Sequence, residues 1–508
     1  MMDQRISVLL FIIALGTGCL TGCGTKKSAA SSPAEQSQDF KDTFVAVLSG
    51  EPTSLDPASS NSLIIGQVLS AFCDPLLREN PDGTIDPCLA VSWEILDDTS
   101  IRFHLRQGVK FHNGNAFTAE DVLYSFARAK KNPLSASTFQ YFDTDNSKII
   151  DDYTLELKLI RPYAPIFNTL SGGRSYIVDK EYIETVGDAE AARNPVGTGP
   201  YKFVNWVSGS EIRGVRNDDY WNTLAATPNV VYKFIAEAAN RVIELETGNA
   251  DLIYDIDPAD KTRVEELPNA HVETGSSYRY YCITFSMQDP VLADKDLRYA
   301  LSYAIDKEAL VKAVFGDTAV AANGFYPSVS FAFKETGILP YDQNEAKRLL
   351  TKAGYPNGLT LKLNYGGGEI DSRIVEVIQN MWKQIGVELE IYPMNSQTYL
   401  AGNNKFQVGM RSGNAEEPSN ILIIYDSAFA DKLQGNDDKL DKMLHDAMAI
   451  YDSAGRFAAY QEIQDYLFDM RYTVPLAFTD AIYGVSDKVK GFVFHPGRQF
   501  LHKYSVAR

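Results

Sequence analysis

Histidine and cysteine are scarce in this chain: there are six of the first and five of the second among 508 residues. The histidines, His104, His112, His271, His445, His495 and His502, make no HExxH, no pair at helical zinc spacing and no Cys/His cluster, so no metal site is expected. There is no GxSxG for a nucleophile elbow. Gly197 and Gly199 are completed by neither GxGxxG nor GK[ST], so they read as backbone turning between two strands rather than as a phosphate loop. With so few catalytic groups the chain is expected to bind rather than to catalyse, and to need no cofactor. Positive charge is also in deficit: 48 Lys and Arg against 66 Asp and Glu give −18, which argues against a nucleic-acid partner. The apolar run Ile6 to Leu15 is too short to span a bilayer.

That run follows Arg5 and precedes Gly16 to Cys23, and it reads as a signal segment. Leu20-Thr21-Gly22-Cys23 is similar to a lipoprotein cleavage box, whereas Cys19 lacks a Leu three residues before it. The expectation is a signal peptide over residues 1–22 and acyl chains on Cys23 that hold the protein at the outer face of a membrane. Residues 23–40, small and polar, then form a flexible tether. The alternative is an ordinary secretory peptide with an incidental Cys. Cys73, Cys88 and Cys282 remain. The first two flank a possible hairpin at Pro81-Asp82-Gly83, where a bridge is conceivable, but buried free thiols are the default.

The length suits about three units of ~150 residues, with 45% hydrophobic residues to build their cores. Ile101, Phe103 and Leu105, then Val109 and Phe111 after Gly108, alternate with polar residues as half-buried strands do. Thr118 to Asp121 reads as a capping box, so a helix is expected to start at Ala119. Thr43 to Leu48 predicts a strand that Gly50, Pro52 and Pro57 end. Asn240 to Ala250 predicts a helix closed by Gly248, and Asp251 to Asp255 a strand. Tyr278 to Met287, rich in aromatic and β-branched residues, predicts another strand. Further on, Asp342 starts a helix; Leu359–Tyr365, Ser372–Ile385 and Val387–Ile391 predict strand, helix and strand, a βαβ unit on a parallel sheet. Two more helices, near Lys439–Tyr451 and Ala454–Met470, precede a strand at Val474–Phe478.

The literal residues carry more. LAVSWE, FHLRQGVKFHNG and FTAEDVLYSF within Leu89–Phe126, then PVGTGPYKF and RNDDYW at residues 195–221, resemble the signatures of solute-binding protein family 5, which serves peptide, dipeptide and nickel ABC importers. The resemblance covers about residues 41 to 500. It implies an α/β, two-lobed, periplasmic-binding-protein-like fold of class II (cluster C) with an extra subdomain inserted in the first lobe. The lobes would comprise residues 41–286 plus 476–508, with the insertion at 85–197, and residues 287–475. The hinge would lie near Phe285 to Gln288. Closure of the lobes over a small solute would then present it to a membrane permease. The expected partners are thus a small-molecule or peptide ligand and ABC permease subunits, with the protein itself a monomer.

By the same resemblance the ligand-binding positions are Asn61, Ser62, Leu63, Asp255, Tyr281, Cys282, Tyr399, Arg411, Asn414 and Phe478. Ser62 and Leu63 also read as the first turn of a helix. In peptide-binding relatives the loop after residue 408 carries a Trp and, three residues later, an Asp that holds the peptide's ammonium group. Matching Glu417-Pro418 to the acid and Pro that come next puts Arg411 and Asn414 at those two places. An ammonium in a closed cleft is costly without a carboxylate, and Arg411, if it points inward, favours an anion instead. Otherwise Glu416, Glu417 or Asp255 supplies the charge, or Arg411 is a solvated loop residue. The expected substrate is a peptide or peptide-like solute, with a nickel chelate, an anionic oligosaccharide or an opine-like conjugate as alternatives. A surface receptor or adhesin that kept the fold is the rival from another class.

Overall fold

The computed structural model describes residues 40–59, 62–394, 406–414, 416–427 and 437–508. Cys23, Asn61 and Tyr399, with the expected signal peptide and tether up to Asp39, lie outside these residues. The first half of the chain contributes β1 (Thr43–Leu48), β2 (Leu77–Glu79), β3 (Ile85–Pro87), β4 (Ala90–Asp97), β5 (Ser100–Leu105), β6 (Lys148–Asp151), β7 (Thr154–Lys158), β8 (Tyr201–Val207), β9 (Glu211–Arg216), β10 (Asn229–Phe234) and β11 (Leu252–Ile253). The second contributes β12 (Ala270–Phe285), β13 (Ala319–Ala321), β14 (Leu359–Tyr365), β15 (Val387–Pro393), β16 (Val408–Asn414) and β17 (Thr473–Ser486). An eleven-stranded sheet runs in the order β15-β14-β16-β12-β17-β11-β1-β10-β9-β8, with β13 added on β17.

Two long strands hold the two ends of this sheet together. The first part of β12 pairs with residues 480–486 of β17; after a register shift between Ser276 and Tyr280 its second part pairs with residues 473–478. The hydrophobic core changes at that shift. Ala270 and Ile482 pack with Val47, Leu245 and Ile253, whereas Tyr281, Ile283 and Phe285 pack with Val474, Leu476 and Trp382. The molecule is therefore two-lobed, and its cores divide near residues 277–280 and 478–481. The sequence placed the boundaries at 286/287 and 475/476. Residues 270–277 mix Thr, Gly, Ser and Glu, half-exposed, and so hide the first-lobe part of the strand.

Residues of the 85–197 segment share a core with Ala58, Leu76, Leu77 and Met448. The sheet β4-β5-β7-β6 of this segment covers an aromatic core that includes Phe103, Phe111, Phe117, Phe126, Phe139 and Phe142. Helix α1 (Leu63–Leu69) precedes it and α2 (Ala119–Lys131) is packed within it. As expected, α2 starts at Ala119, and the Asp121 carboxylate accepts the Thr118 N–H at 2.9 Å. Val109 and Phe111 are buried but form no strand: Gly108 at φ 76° turns the chain, and only Lys110 bridges to Ala116.

Gly197 and Gly199 also differ from expectation. Neither has a positive φ; a Cβ on either would lie 2.3–2.4 Å from the Phe72 carbonyl group, so they permit close passage of two backbones rather than a turn. Cys73, Cys88 and Cys282 are all free and buried. The βαβ unit is present, with β14 and β15 parallel and the helix Glu369–Lys383 between them.

Candidate functional site

Strand β16 ends in the segment that the sequence singled out. It pairs antiparallel with β12, setting Asn414 opposite Arg279, Ser412 opposite Tyr281 and Arg411 opposite Cys282. On its other edge β14 pairs at Leu363 with Val408 and Asn364 with Gly409, then continues beside β15 into Gly366-Gly367-Gly368. Among the described residues, Ser412 to Asn414 thus keep one edge beyond the reach of β14. Such an edge offers unpaired N–H and C=O groups to an extended chain.

Because side chains alternate across a strand, Arg411 and Asn414 lie on opposite faces of β16. Arg411 is beside Cys282 and Tyr425. Burial pushes the Cys282 thiol up to about 12 while the guanidinium pulls it back. Asn414 shares its face with Arg279, Ser412 and Tyr281. The two departures from the peptide-binding pattern therefore do not meet at one point.

One acid from each lobe, Asp255 and Asp371, acts on Arg279. Arg279 is exposed, yet desolvation by surrounding protein is the largest influence on its guanidinium, and Tyr281, Asp255 and Asp371 act against it to hold the pKa above its ordinary value. The Arg279 Nε donates to the Tyr281 hydroxyl at 2.8 Å. Asp371, in the first turn of the helix Glu369–Lys383, interacts with Ser412, and burial holds its carboxyl above the usual range. From the first lobe, Asp255 accepts a hydrogen bond from Ser49 at 2.6 Å. Its φ of 52° is left-handed, and buried Arg241 bonds its carbonyl and that of Tyr254.

The remaining predicted positions fall elsewhere. Ser62 caps α1, its hydroxyl accepting the Ile65 N–H, and Leu63 is 47% exposed on the first turn. Phe478 is buried opposite Tyr280. His104 bonds Glu94 on the surface of the inserted sheet; His112, its pKa lowered to about 4 by burial, bonds the Gly199 carbonyl. Arg279 and Asp371, which act on each other, were not among the predicted positions. One signal was present: Arg279 is the only charge within the apolar run YRYYCITF.

Further contacts join the two lobes. Glu416, just beyond β16, meets Arg498 at 3.4 Å and lies near Glu79, whose second neighbour is the Tyr278 hydroxyl at 2.9 Å. Glu417 is buried instead against Tyr460. At a second place the Ala164 N–H donates to the Met448 carbonyl at 2.7 Å, and Met448 packs into the core shared by the 85–197 segment. The lobes are in contact at both of these places.

The sequence model for bacterial extracellular solute-binding proteins, family 5, matches residues 84–431. The chain belongs to this family. It is similar to the dipeptide-binding protein of Escherichia coli, with 28% identity covering 91% of this chain and 94% of the relative. Heme-binding protein A of Haemophilus influenzae is also 28% identical, with coverage of 95% and 96%. The fold matches that of the periplasmic binding protein DppA from Helicobacter pylori in complex with the peptide STSA: TM-score 0.82, 25% identity, and coverage of 93% of this chain and 99% of that one. Family 5 proteins are substrate-binding components of ABC transporters, not enzymes, and the two-lobed fold and class read from the sequence stand.

Proposed function

We propose that the protein captures a peptide or peptide-like solute between its lobes and delivers it to an ABC permease. The observation that carries this reading is the edge of β16 from Ser412 to Asn414, past the end of its pairing with β14, where an extended backbone gains ladder hydrogen bonds whatever its side chains. The dipeptide-binding relative and the neighbour solved with a peptide support it. The two lobes, read from the sequence as residues 41–286 plus 476–508 and 287–475, move against each other about β12 and β17, the closing movement centred on the register shift of β12 at Ser276 to Tyr280, where their cores divide. Leu20-Thr21-Gly22-Cys23 supports signal cleavage after residue 22 and a lipid anchor on Cys23 that keeps the monomer outside the cytoplasm, beside its permease.

Native mass spectrometry of the mature protein tests the reading, because a retained ligand appears as a mass gap between native and denatured forms. Peptide at ~100 times its dissociation constant stabilises the protein by about 2.7 kcal/mol. A panel of peptides that leaves the melting temperature unmoved, while a nickel chelate, an oligosaccharide or an opine-like conjugate raises it, overturns the peptide reading.

A further inference from the structure

Two carboxyl groups meet where Glu416 crosses to the first lobe. Glu79 ends β2 and is only 4% exposed. Its Oε1 accepts the Tyr278 hydroxyl at 2.9 Å, while its Oε2 receives no N–H or O–H from the described residues. Within hydrogen-bonding reach of the Glu79 carboxyl stands that of half-buried Glu416, from the segment just past β16. A carboxylate only accepts, so two of them bond each other only when one carries a proton. The surrounding charges require the same. Arg498 acts on both carboxyls, and its guanidinium is engaged by Glu416 at 3.4 Å, by Tyr176 and by the Ser171 carbonyl. With both carboxyls ionised, two negative charges face the Arg498 cation in a buried place; with one proton between them the charges balance.

The other titratable groups against the pair do not supply that balance. Buried His495 spends Nδ1 on the N–H groups of Gly497 and Arg498, so its proton is on Nε2, toward the Glu79 carbonyl. Burial, then Arg498, lowers its pKa to about 4, and it is neutral above that. The Tyr278 hydroxyl stays protonated, since burial and then Glu79 push its pKa up, with Glu416 and exposed Asp82 adding to them. We propose that Glu79 and Glu416 share one proton across the lobe boundary, so that closing the lobes takes up a proton and rising pH opens them. The switch needs the lobes to move about β12 and β17, as the proposed function has it, and holds whatever the solute. Burial, then Glu416, raises the Glu79 carboxyl well above the ordinary range; burial acts the same way on Glu416, but Arg498 and Glu79 outweigh it and lower it. Once the lobes part, Glu79 loses Glu416 and ionises near ~4.3 as a free glutamate does. Above that pH the closed state therefore binds one proton more than the open one, and closure weakens as pH rises until Glu79 has ionised in the closed state as well.

Two measurements on the unliganded mature protein test this. Small-angle X-ray scattering reads the opening of the lobes as a larger radius of gyration, and carbon NMR of Glu-labelled protein reads the carboxyls, the Glu79 signal being the one lost in Glu79→Gln. The expected result is that wild type expands between pH ~5 and ~10, the ratio of closed to open falling by up to about tenfold per pH unit. Glu79→Gln keeps Tyr278 as a donor and offers Glu416 an amide N–H at every pH, so it stays compact throughout. The Glu79 carboxyl titrates well above a free glutamate, and Glu416→Gln brings it down. Melting curves confirm that both variants fold. A Glu79 carboxyl that titrates like a free glutamate overturns the shared proton. Expansion of Glu79→Gln in step with wild type overturns its coupling to closure. A radius of gyration that stays fixed while Glu79 titrates high overturns the lobe movement of the proposed function, and the switch with it, although the proton is shared.

Discussion

Arg498 and Arg279 both present a guanidinium where the two lobes face each other, and burial works against the charge of both. Arg498 is answered by protein on every side: Tyr176 at 3.2 Å, the Ser171 carbonyl at 3.2 Å and, from the second lobe, Glu416 at 3.4 Å. Those partners hold its pKa above the ordinary value. Arg279 has the Tyr281 hydroxyl and no ion pair among the described residues. A charge bonded to both lobes belongs to the closure itself, whereas exposed Arg279 is compensated at longer range by Tyr281, Asp255 and Asp371. Burial and direct bonding distinguish the two.

Removing the saturated charge gives the largest effect. Arg498→Ala strands Glu416 beside Glu79 without its cation, and breaking a buried pair in this way costs about 3–5 kcal/mol. The urea midpoint at pH 7 reads the loss. A variant as stable as wild type would show that the boundary at Arg498 contributes nothing to the folded state.

Acid attacks the same side of the comparison. The Nδ1 of buried His495 accepts the N–H groups of Gly497 and Arg498 at 3.0 and 3.1 Å, and burial first, then Arg498, lowers its pKa to about 4. In the unfolded chain a histidine protonates near ~6.5, so the unfolded state takes up the proton first as pH falls. Stability present above that value is lost between pH ~6.5 and about 4, by roughly 3 kcal/mol for this histidine. Denaturant midpoints at pH 7 and 4.5, for wild type and His495→Gln, measure it; the drop should narrow in the variant.

Much of the scaffold was legible in the residues alone, because local chemistry dictates it. Thr118 with Asp121 started α2, apolar runs marked β1 and β14, and literal signature residues gave the family. What escaped was set by distant parts of the chain. β17 extends to Ser486 because the first lobe supplies β11 as its partner, and Gly199 is required by Phe72, far earlier in the sequence. The binding positions suffered most. A motif match aligned Arg411 and Asn414 as neighbours in function, whereas strand alternation puts them on opposite faces, and Arg279 became visible only when β12 and β16 were placed in register.

A smaller effect tests the frame around Arg279. Ser49→Ala removes the 2.6 Å hydrogen bond to Asp255, an exposed residue, and costs about 1 kcal/mol at most. A urea midpoint registers the loss.

The smallest effect on stability belongs to Arg279 itself. Arg279→Ala removes one hydrogen bond, to Tyr281, and the longer-range attraction of Asp255 and Asp371, but it also relieves the desolvation that is the largest influence on the guanidinium. The two consequences oppose each other, so the unliganded variant should unfold within about 0.5 kcal/mol of wild type. Against the loss of several kcal/mol at Arg498, that near-silence is the sharper result, since a buried guanidinium bonded to both lobes would then differ from an exposed one that is compensated only at longer range. A destabilisation of Arg279→Ala comparable to that of Arg498→Ala would mean that compensation at longer range holds a guanidinium as firmly as direct bonding does.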